Sequence, residues 1–388
     1  MRQYITIIFF CIALIALFFS IQRYNTDTTV LVHPVSVPPE PHDVAEARIR
    51  TTVASMSIEE KVGQLFMVSF SGTTLADAEA AWLESHAIGG VILMGGNVTG
   101  REQSRALIAD IHRRVSMALP APLLVATDQE GGGVSRFTFF NPEEQHAQNE
   151  IKTATEAFAL GKLRGALLSG LGVDINFSPV VDIAQTSDDF MADRAFSGDA
   201  ETVGKLGATL IRGYKESGVL PTAKHFPGHG GTLVDSHRNL PVVHRDERAW
   251  NEHLAPFRTA IVAGVPLIMT AHLLVPEMDA TYPASISPAI TTGVLRDGLG
   301  FDGVIITDDL AMGAITDAYT LTEAAVLALD AGADILLILS DHASVDRAIT
   351  TVTEAVESGK ISEERINESI KRILLLKEAR ERRTAASF

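Results

Sequence analysis

Short, unbroken apolar runs alternate along this chain with longer stretches whose apolar positions recur at helical spacing. In order, the runs are QLFMVSF (64–70), GGVILM (89–94), PLLVATD (122–128), VDINFSPVVD (173–182), PTAKHF (221–226), PLIMTAH (266–272), GVIITDD (303–309) and ADILLIL (333–339). Helix-like stretches such as EAFALGKLRGALLSGLG and TEAAVLALDAGA lie between most of them. Continuous apolar strands alternating with helices predict a parallel sheet covered on both faces. Eight such units predict an α/β fold, a (β/α)8 TIM-type barrel forming a single domain. A doubly wound sheet is the alternative, but no run is followed by G-x-G-x-x-G, and the glycines of DQEGGG have the wrong spacing. The body opens with SIEEKVGQL, where Ser57 and Glu60 have capping-box spacing.

Polar residues interrupt these runs at particular places. Asp128, Asp182, Lys224 with His225, His272 and Asp308 each fall at or just past the C-terminal end of an expected strand. In a barrel those ends converge on one mouth, so five separate segments would supply one pocket.

The N-terminus follows a different pattern. Ile5 to Ile21 is almost entirely apolar and close to the length of a membrane-crossing helix. The following SIQRYNTD lacks an A-x-A-like cleavage site, and the large residues before Cys11 do not suit lipoprotein processing. Residues 1–23 are therefore expected to be a retained signal anchor, with a cleaved signal peptide as the alternative. Residues 24–45 turn polar and then proline-rich, as an extended spacer would, and the barrel body is expected over 46–388. This predicts a membrane-anchored protein whose body is periplasmic or extracellular.

Composition narrows the partners. The 388 residues are 46% hydrophobic, enough for a large core. A formal charge of −16 with scattered basic residues argues against nucleic acid and leaves small or neutral substrates. Cys11 is the only cysteine, which excludes an intrachain disulfide. A monomer is expected.

The densest chemistry is KHFPGHGGTLVDSH, from Lys224 to His237. His225 and His229 are four apart, but Pro227, Gly228, Gly230 and Gly231 oppose a helical metal site. A loop can still hold metal, so a metal-dependent hydrolase using His225, His229 and His237 stays open. Asp235 and His237, one residue apart, would project to the same side of an extended loop, as a general acid/base dyad does. A local Asp-Ser-His turn is the simpler alternative. In GVIITDDL, Asp308 at the strand end suits a nucleophile or electrostatic stabiliser, and Asp309 could cap the next helix. Asp128, Arg136 and Arg194 offer a carboxylate and two donor forks for sugar hydroxyls, or else form ion pairs at the rim.

These residues, as DQEGG with Arg136 eight positions after Asp128, INFSPVVDI, DRAFS, KHFPGHG followed by DSHRNLP, LIMTAH, TYPASISP and GFDGVIITDDLAMGAI, resemble the family 3 glycoside hydrolases. The likeness is to the branch of single-domain bacterial β-N-acetylhexosaminidases, and runs from Ser57 to the KRILLLKEA tail. It implies retaining hydrolysis of non-reducing terminal β-GlcNAc from peptidoglycan fragments or related glycans. Asp308 would form a covalent glycosyl-enzyme, and His237 supported by Asp235 would be the acid/base. Asp128, Arg136, Arg194, Lys224 and His225 would hold the sugar, and no metal or organic cofactor would be needed. His229 is left with a structural role, pinning the loop. Gly133 and Gly231 depart from the family's usual arginine and aspartate. A non-catalytic glycan-binding barrel is a further alternative.

Overall fold

A computed structural model describes residues 42–386. The chain divides at Glu46/Ala47, and the barrel belongs wholly to the part from Ala47 onward. The expected span at 5–21 and most of the expected spacer lie outside the described residues. The helix His42–Ser55 begins within the stretch read as spacer, so the boundary expected at 45/46 falls inside a helix. Among the described residues, no helix is long and apolar enough to cross a membrane.

The Ser57 cap forms as its spacing predicts. Ser57 Oγ accepts from the Glu60 amide at 3.2 Å, and the Glu60 carboxylate accepts from the Ser57 amide at 2.8 Å. The capped helix Ile58–Gln64 leads directly into the first strand. Each of the eight apolar runs yields a strand: β1 Phe66–Val68, β2 Gly90–Leu93, β3 Leu124–Thr127, β4 Ile175–Asn176, β5 Leu220–Phe226, β6 Leu267–Thr270, β7 Val304–Thr307 and β8 Leu336–Ile338. All pair in parallel in the order β7-β6-β5-β4-β3-β2-β1-β8. A bridge between Ile306 and Ile335 brings β7 to β8, giving a nearly closed eight-stranded barrel with helices between the strands.

Every strand residue is buried, which is why these runs lack the alternation of a half-exposed sheet. The ladders are shorter than the runs. The clearest case is 173–182, where only Ile175–Asn176 pair regularly. Pro179 has no amide hydrogen to donate, and the chain re-engages β5 two residues after Ser178, through the bridge from Val180 to Lys224.

The long excursion after β3 is tied down by a buried guanidinium. Arg164, on the helix Ala154–Leu171, places Nε 2.6 Å from Glu144 Oε1, with both side chains fully buried. It also donates to the carbonyls of Glu130 at 2.6 Å, Glu144, and His146 at 3.1 Å. The same carboxylate receives Gln129 Nε2 at 3.1 Å, while Gln129 Oε1 accepts the amides of Arg136 and Phe137. One arginine thus sets the path of the segment that carries Asp128, Glu130 and Arg136. Arg164→Ala would strand the Glu144 carboxylate in the core, and is expected to cost about 3–5 kcal/mol of stability by urea unfolding. A loss below about 1 kcal/mol would show that the excursion is held by other contacts.

Candidate active site

Because all eight strands run the same way, the five segments expected to converge do so. Asp128 follows β3, Asp182 lies just past the Val180 bridge, Lys224 and His225 sit within β5, His272 follows β6 and Asp308 directly follows β7.

Lys224 is the hub of one side of the mouth. Its Nζ lies 2.8 Å from Asp128 Oδ1 and 2.6 Å from Glu130 Oε1. Arg194 donates to both oxygens of Glu130, at 3.0 and 2.8 Å, and Arg136 reaches Asp128 Oδ2 at 3.5 Å. Burial pushes the Glu130 pKa up, but the charges of Arg194 and Lys224 outweigh it and hold it well below the usual carboxylate range. Burial likewise opposes the charge on Lys224, yet Asp128 and Glu130 raise its pKa above the ordinary value. At neutral pH Glu130 and Lys224 therefore both carry their charge, within a network of alternating sign. Glu130 was not among the expected residues, although it stands two positions after Asp128, and an extended chain places such residues on one side.

Asp182 organises the next segment. Its carboxylate accepts His225 Nδ1 at 2.7 Å, the His225 amide at 3.2 Å and the His229 amide at 2.7 Å. Burial raises its pKa, but the two histidines more than compensate and bring it to about 2. The other edge of His225 faces Arg194, with Nε2 at 3.4 Å, so the ring is fixed on both sides. The Lys224–His225 peptide is cis. His229 pins the loop as expected, but through its backbone amide. Its ring is buried between Phe190 and His225, with neither nitrogen hydrogen-bonded to a described residue.

The β7 end separates the two aspartates. Burial raises the Asp308 pKa, while His225, His272, the Asp309 amide and Lys224 lower it, and the net shift is downward. An ionised carboxylate of this kind can attack an electrophilic carbon. Asp309 does not cap the next helix, the role open to it from its position. The helix Gly313–Thr316 starts without a side-chain cap, and Asp309 Oδ1 instead accepts the amides of Ala311 at 3.0 Å and Leu339 at 2.9 Å, bolting the turn to β8. Burial raises its pKa to about 6. His272 Nε2 lies 2.8 Å from the Asp309 carbonyl and must donate to it, so Nδ1 accepts the Ser285 hydroxyl at 2.7 Å. This explains why LIMTAH and TYPASISP belong to the site. They brace the peptide next to Asp308.

Asp235 and His237 form both structures anticipated for them. Asp235 Oδ1 accepts the His237 amide at 2.9 Å and Nδ1 at 2.7 Å, so the local turn and the dyad are one geometry. Burial opposes the Asp235 charge, but the His237 amide and ring lower its pKa overall. The His237 side chain is 62% exposed, and Ser236 between them is buried, as the alternation requires. With Nδ1 engaged, Nε2 is the nitrogen available to give or take a proton. The alternative metal cluster of His225, His229 and His237 does not assemble. His225 is turned to Asp182 and His237 to Asp235, and among the described residues no three His, Cys, Asp or Glu side chains are grouped to hold a metal.

Beneath the loop, Arg245 grips the carbonyls of Gly228, at 3.0 Å, and Gly230, and its guanidinium lies 4.5 Å from the Trp250 ring. Gly231 has φ +79°, a conformation that favours glycine, which suits its departure from the family pattern. A carboxylate still meets this turn, supplied by Asp189, which accepts the amides of Gly231 and Gln185. Gly133 is exposed, with open space where a side chain would begin.

Two buried histidines beside this loop make stability depend on pH. Burial lowers His229 and His253 from the ordinary 6.5 to about 4, assisted by the charges of His225 and Arg245 respectively. The unfolded chain then binds more protons than the folded one between those values. Their contribution is complete above about pH 6.5 and is lost as pH falls toward 4, by up to about 3 kcal/mol each. Asp309 works in the opposite sense below pH 6, so a variant must be compared with its parent. Between pH 7 and 5, unfolding free energy should fall less steeply for His253→Gln than for the parent, and equal slopes would contradict the assignment.

Residues 57–376 match the model of the glycosyl hydrolase family 3 N-terminal domain. The chain is 35% identical to the beta-hexosaminidase of Thiobacillus denitrificans over 298 residues, 73% of this chain and 80% of that protein. It is 36% identical to the beta-hexosaminidase of Hydrogenovibrio crunogenus over 310 residues, 77% and 85% of the two. Among solved structures, a glycoside hydrolase family 3 β-N-acetylglucosaminidase from Paenibacillus sp. FPU-7 superposes with TM-score 0.80 at 37% identity, covering 84% of this chain and 63% of that one. LpqI of Mycobacterium tuberculosis superposes with TM-score 0.76 at 30% identity, covering 84% and 94%. The match spans the barrel and every segment that reaches its mouth, so the chain belongs to glycosyl hydrolase family 3 and is a glycoside hydrolase.

Proposed function

We propose that this protein hydrolyses non-reducing terminal β-N-acetylglucosamine from peptidoglycan fragments or related glycans, with net retention. The observation that carries this reading is the pairing at one barrel mouth of an ionised, braced Asp308 with the exposed Asp235–His237 dyad. The names of the relatives support the substrate. In the first step, His237 Nε2–H protonates the glycosidic oxygen as Asp308 attacks the anomeric carbon. The carbon–oxygen bond breaks, the aglycone leaves as an alcohol and the sugar stays esterified to Asp308. In the second step, neutral His237 takes a proton from water, whose oxygen attacks the same carbon and releases the Asp308 carboxylate. Asp235 keeps the Nδ1–H tautomer between steps and stabilises the imidazolium.

Asp128, Arg136, Arg194, Lys224 and His225 hold the sugar in this reading, with Glu130 fixing the spacing of Lys224 and Arg194. Paired charges of both signs offer donors and acceptors to hydroxyls without a large net field. The metal-dependent alternative has no matching convergence of histidines, and a non-catalytic barrel leaves the dyad without a use. The apolar stretch at 5–21 extends the proposal to a membrane-tethered enzyme with its body outside the cytoplasm, which fractionation of the full chain would test.

The purified protein should hydrolyse a nitrophenyl β-N-acetylglucosaminide about a hundredfold or more faster than the matching β-glucoside, in kcat/KM. Comparable rates would overturn the substrate. Asp308→Ala should lower turnover by about a thousandfold or more, and NMR should show the β-anomer as the first product. An α-anomer formed first would rule out the two-step route.

A further inference from the structure

The loop bearing His237 is seated on the turn that follows Asp308 by two backbone hydrogen bonds. The Gly313 amide donates to the His237 carbonyl at 3.1 Å, and the Ala314 amide donates to the Ser236 carbonyl at 3.3 Å. Both donors belong to the first turn of the helix Gly313–Thr316, where amides have no partner within the helix. The approach is close. A Cβ built on Gly313 would collide with the Arg238 carbonyl oxygen and lie 2.8 Å from its carbon.

The two sides of this contact differ in rigidity. The turn is fixed by Asp309, through the Ala311 and Leu339 amides on its carboxylate and the Met312 amide and His272 ring on its carbonyl. The loop has little apolar anchorage: Leu233 is 72% exposed, and Val234, His237, Arg238 and Asn239 are also exposed. Crowding at Gly313 would therefore displace the loop and leave the turn in place. The network around Lys224 is built on β3, β5 and the loop holding Arg194, so it does not share this contact.

We propose that Gly313 is a positioning residue for the proton-transfer step. Its missing side chain lets the His237 backbone rest on the turn that carries the nucleophile, so one stretch of backbone sets the height of the acid/base relative to Asp308. This rests on the function proposed above. It gives a role to the last glycine of GFDGVIITDDLAMGAI, which the sugar-binding and chemical assignments do not use.

The test is Gly313→Ala, measured on aryl β-N-acetylglucosaminides whose leaving groups range from dinitrophenol to phenol. Dinitrophenolate departs without protonation, so its kcat/KM should stay within about twofold of the parent, whereas the phenyl glycoside should fall about tenfold or more. Azide attacks the glycosyl–Asp308 carbon with no proton to lose. It should therefore speed dinitrophenyl glycoside turnover in the variant, yielding the β-glycosyl azide, and have little effect on the parent. An equal loss across the series, or no loss at all, would overturn the proposal. So would a variant that fails to melt cooperatively, because the crowding is expected to move an exposed loop and leave the core intact. A parent inactive on every glycoside in the series would instead refute the proposed function.

Discussion

Most of what the mouth can do depends on the buried carboxylate of Asp182. It stands where β4 leaves the barrel and takes the ring and amide of His225 and the amide of His229, all from the segment where β5 ends. A carboxylate with several charge-assisted hydrogen bonds keeps its charge despite burial, and removing it would leave three donors unsatisfied. Two consequences follow from this joint. Lys224 and His225 are fixed facing the pocket, and the glycine-rich segment after them starts in a defined direction, gripped from below by Arg245. The loop that ends in Asp235 and His237 begins there.

The mouth then divides into two regions with different physics. Around Lys224, charges of both signs are paired, with Lys224 and Glu130 fully buried, an arrangement in which losing one member costs far more than the pair itself contributes. Such a region can hold a polar ring in one pose. Around His237 the loop is largely exposed and seated by backbone bonds, so the imidazole, oriented by Asp235, can meet both a departing aglycone and incoming water. Asp308 lies between these regimes, its charge favoured by His225, His272 and Lys224 and its peptide braced by the His272–Ser285 pair.

The fold was largely legible because burial on both faces leaves unbroken apolar runs, and all eight runs contain strands. Their ends were not, because an apolar residue past the last ladder bond looks the same in sequence as one within it; Phe177 to Asp182 shows this. In the site, side chains at strand ends were readable from position alone, since parallel strands bring them together. The contacts that orient them were harder to see. Glu130 carried no signal beyond its two-residue spacing from Asp128. Asp309 could have capped a helix, but it ties the turn to β8. His229 acts through an amide that any residue but proline would supply, and Arg245 acts on carbonyls, which carry no sequence signal at all.

The most direct measurement is to trap the sugar on the enzyme. A 5-fluoro-N-acetylglucosaminyl fluoride slows both steps by destabilising positive charge at the anomeric carbon, while its good leaving group lets the first step proceed. Intact mass should then rise by one sugar residue, and peptide mass spectrometry should place that sugar on Asp308. A label on any other residue, or steady turnover of this reagent with no covalent adduct at any time, would contradict a nucleophilic role for Asp308.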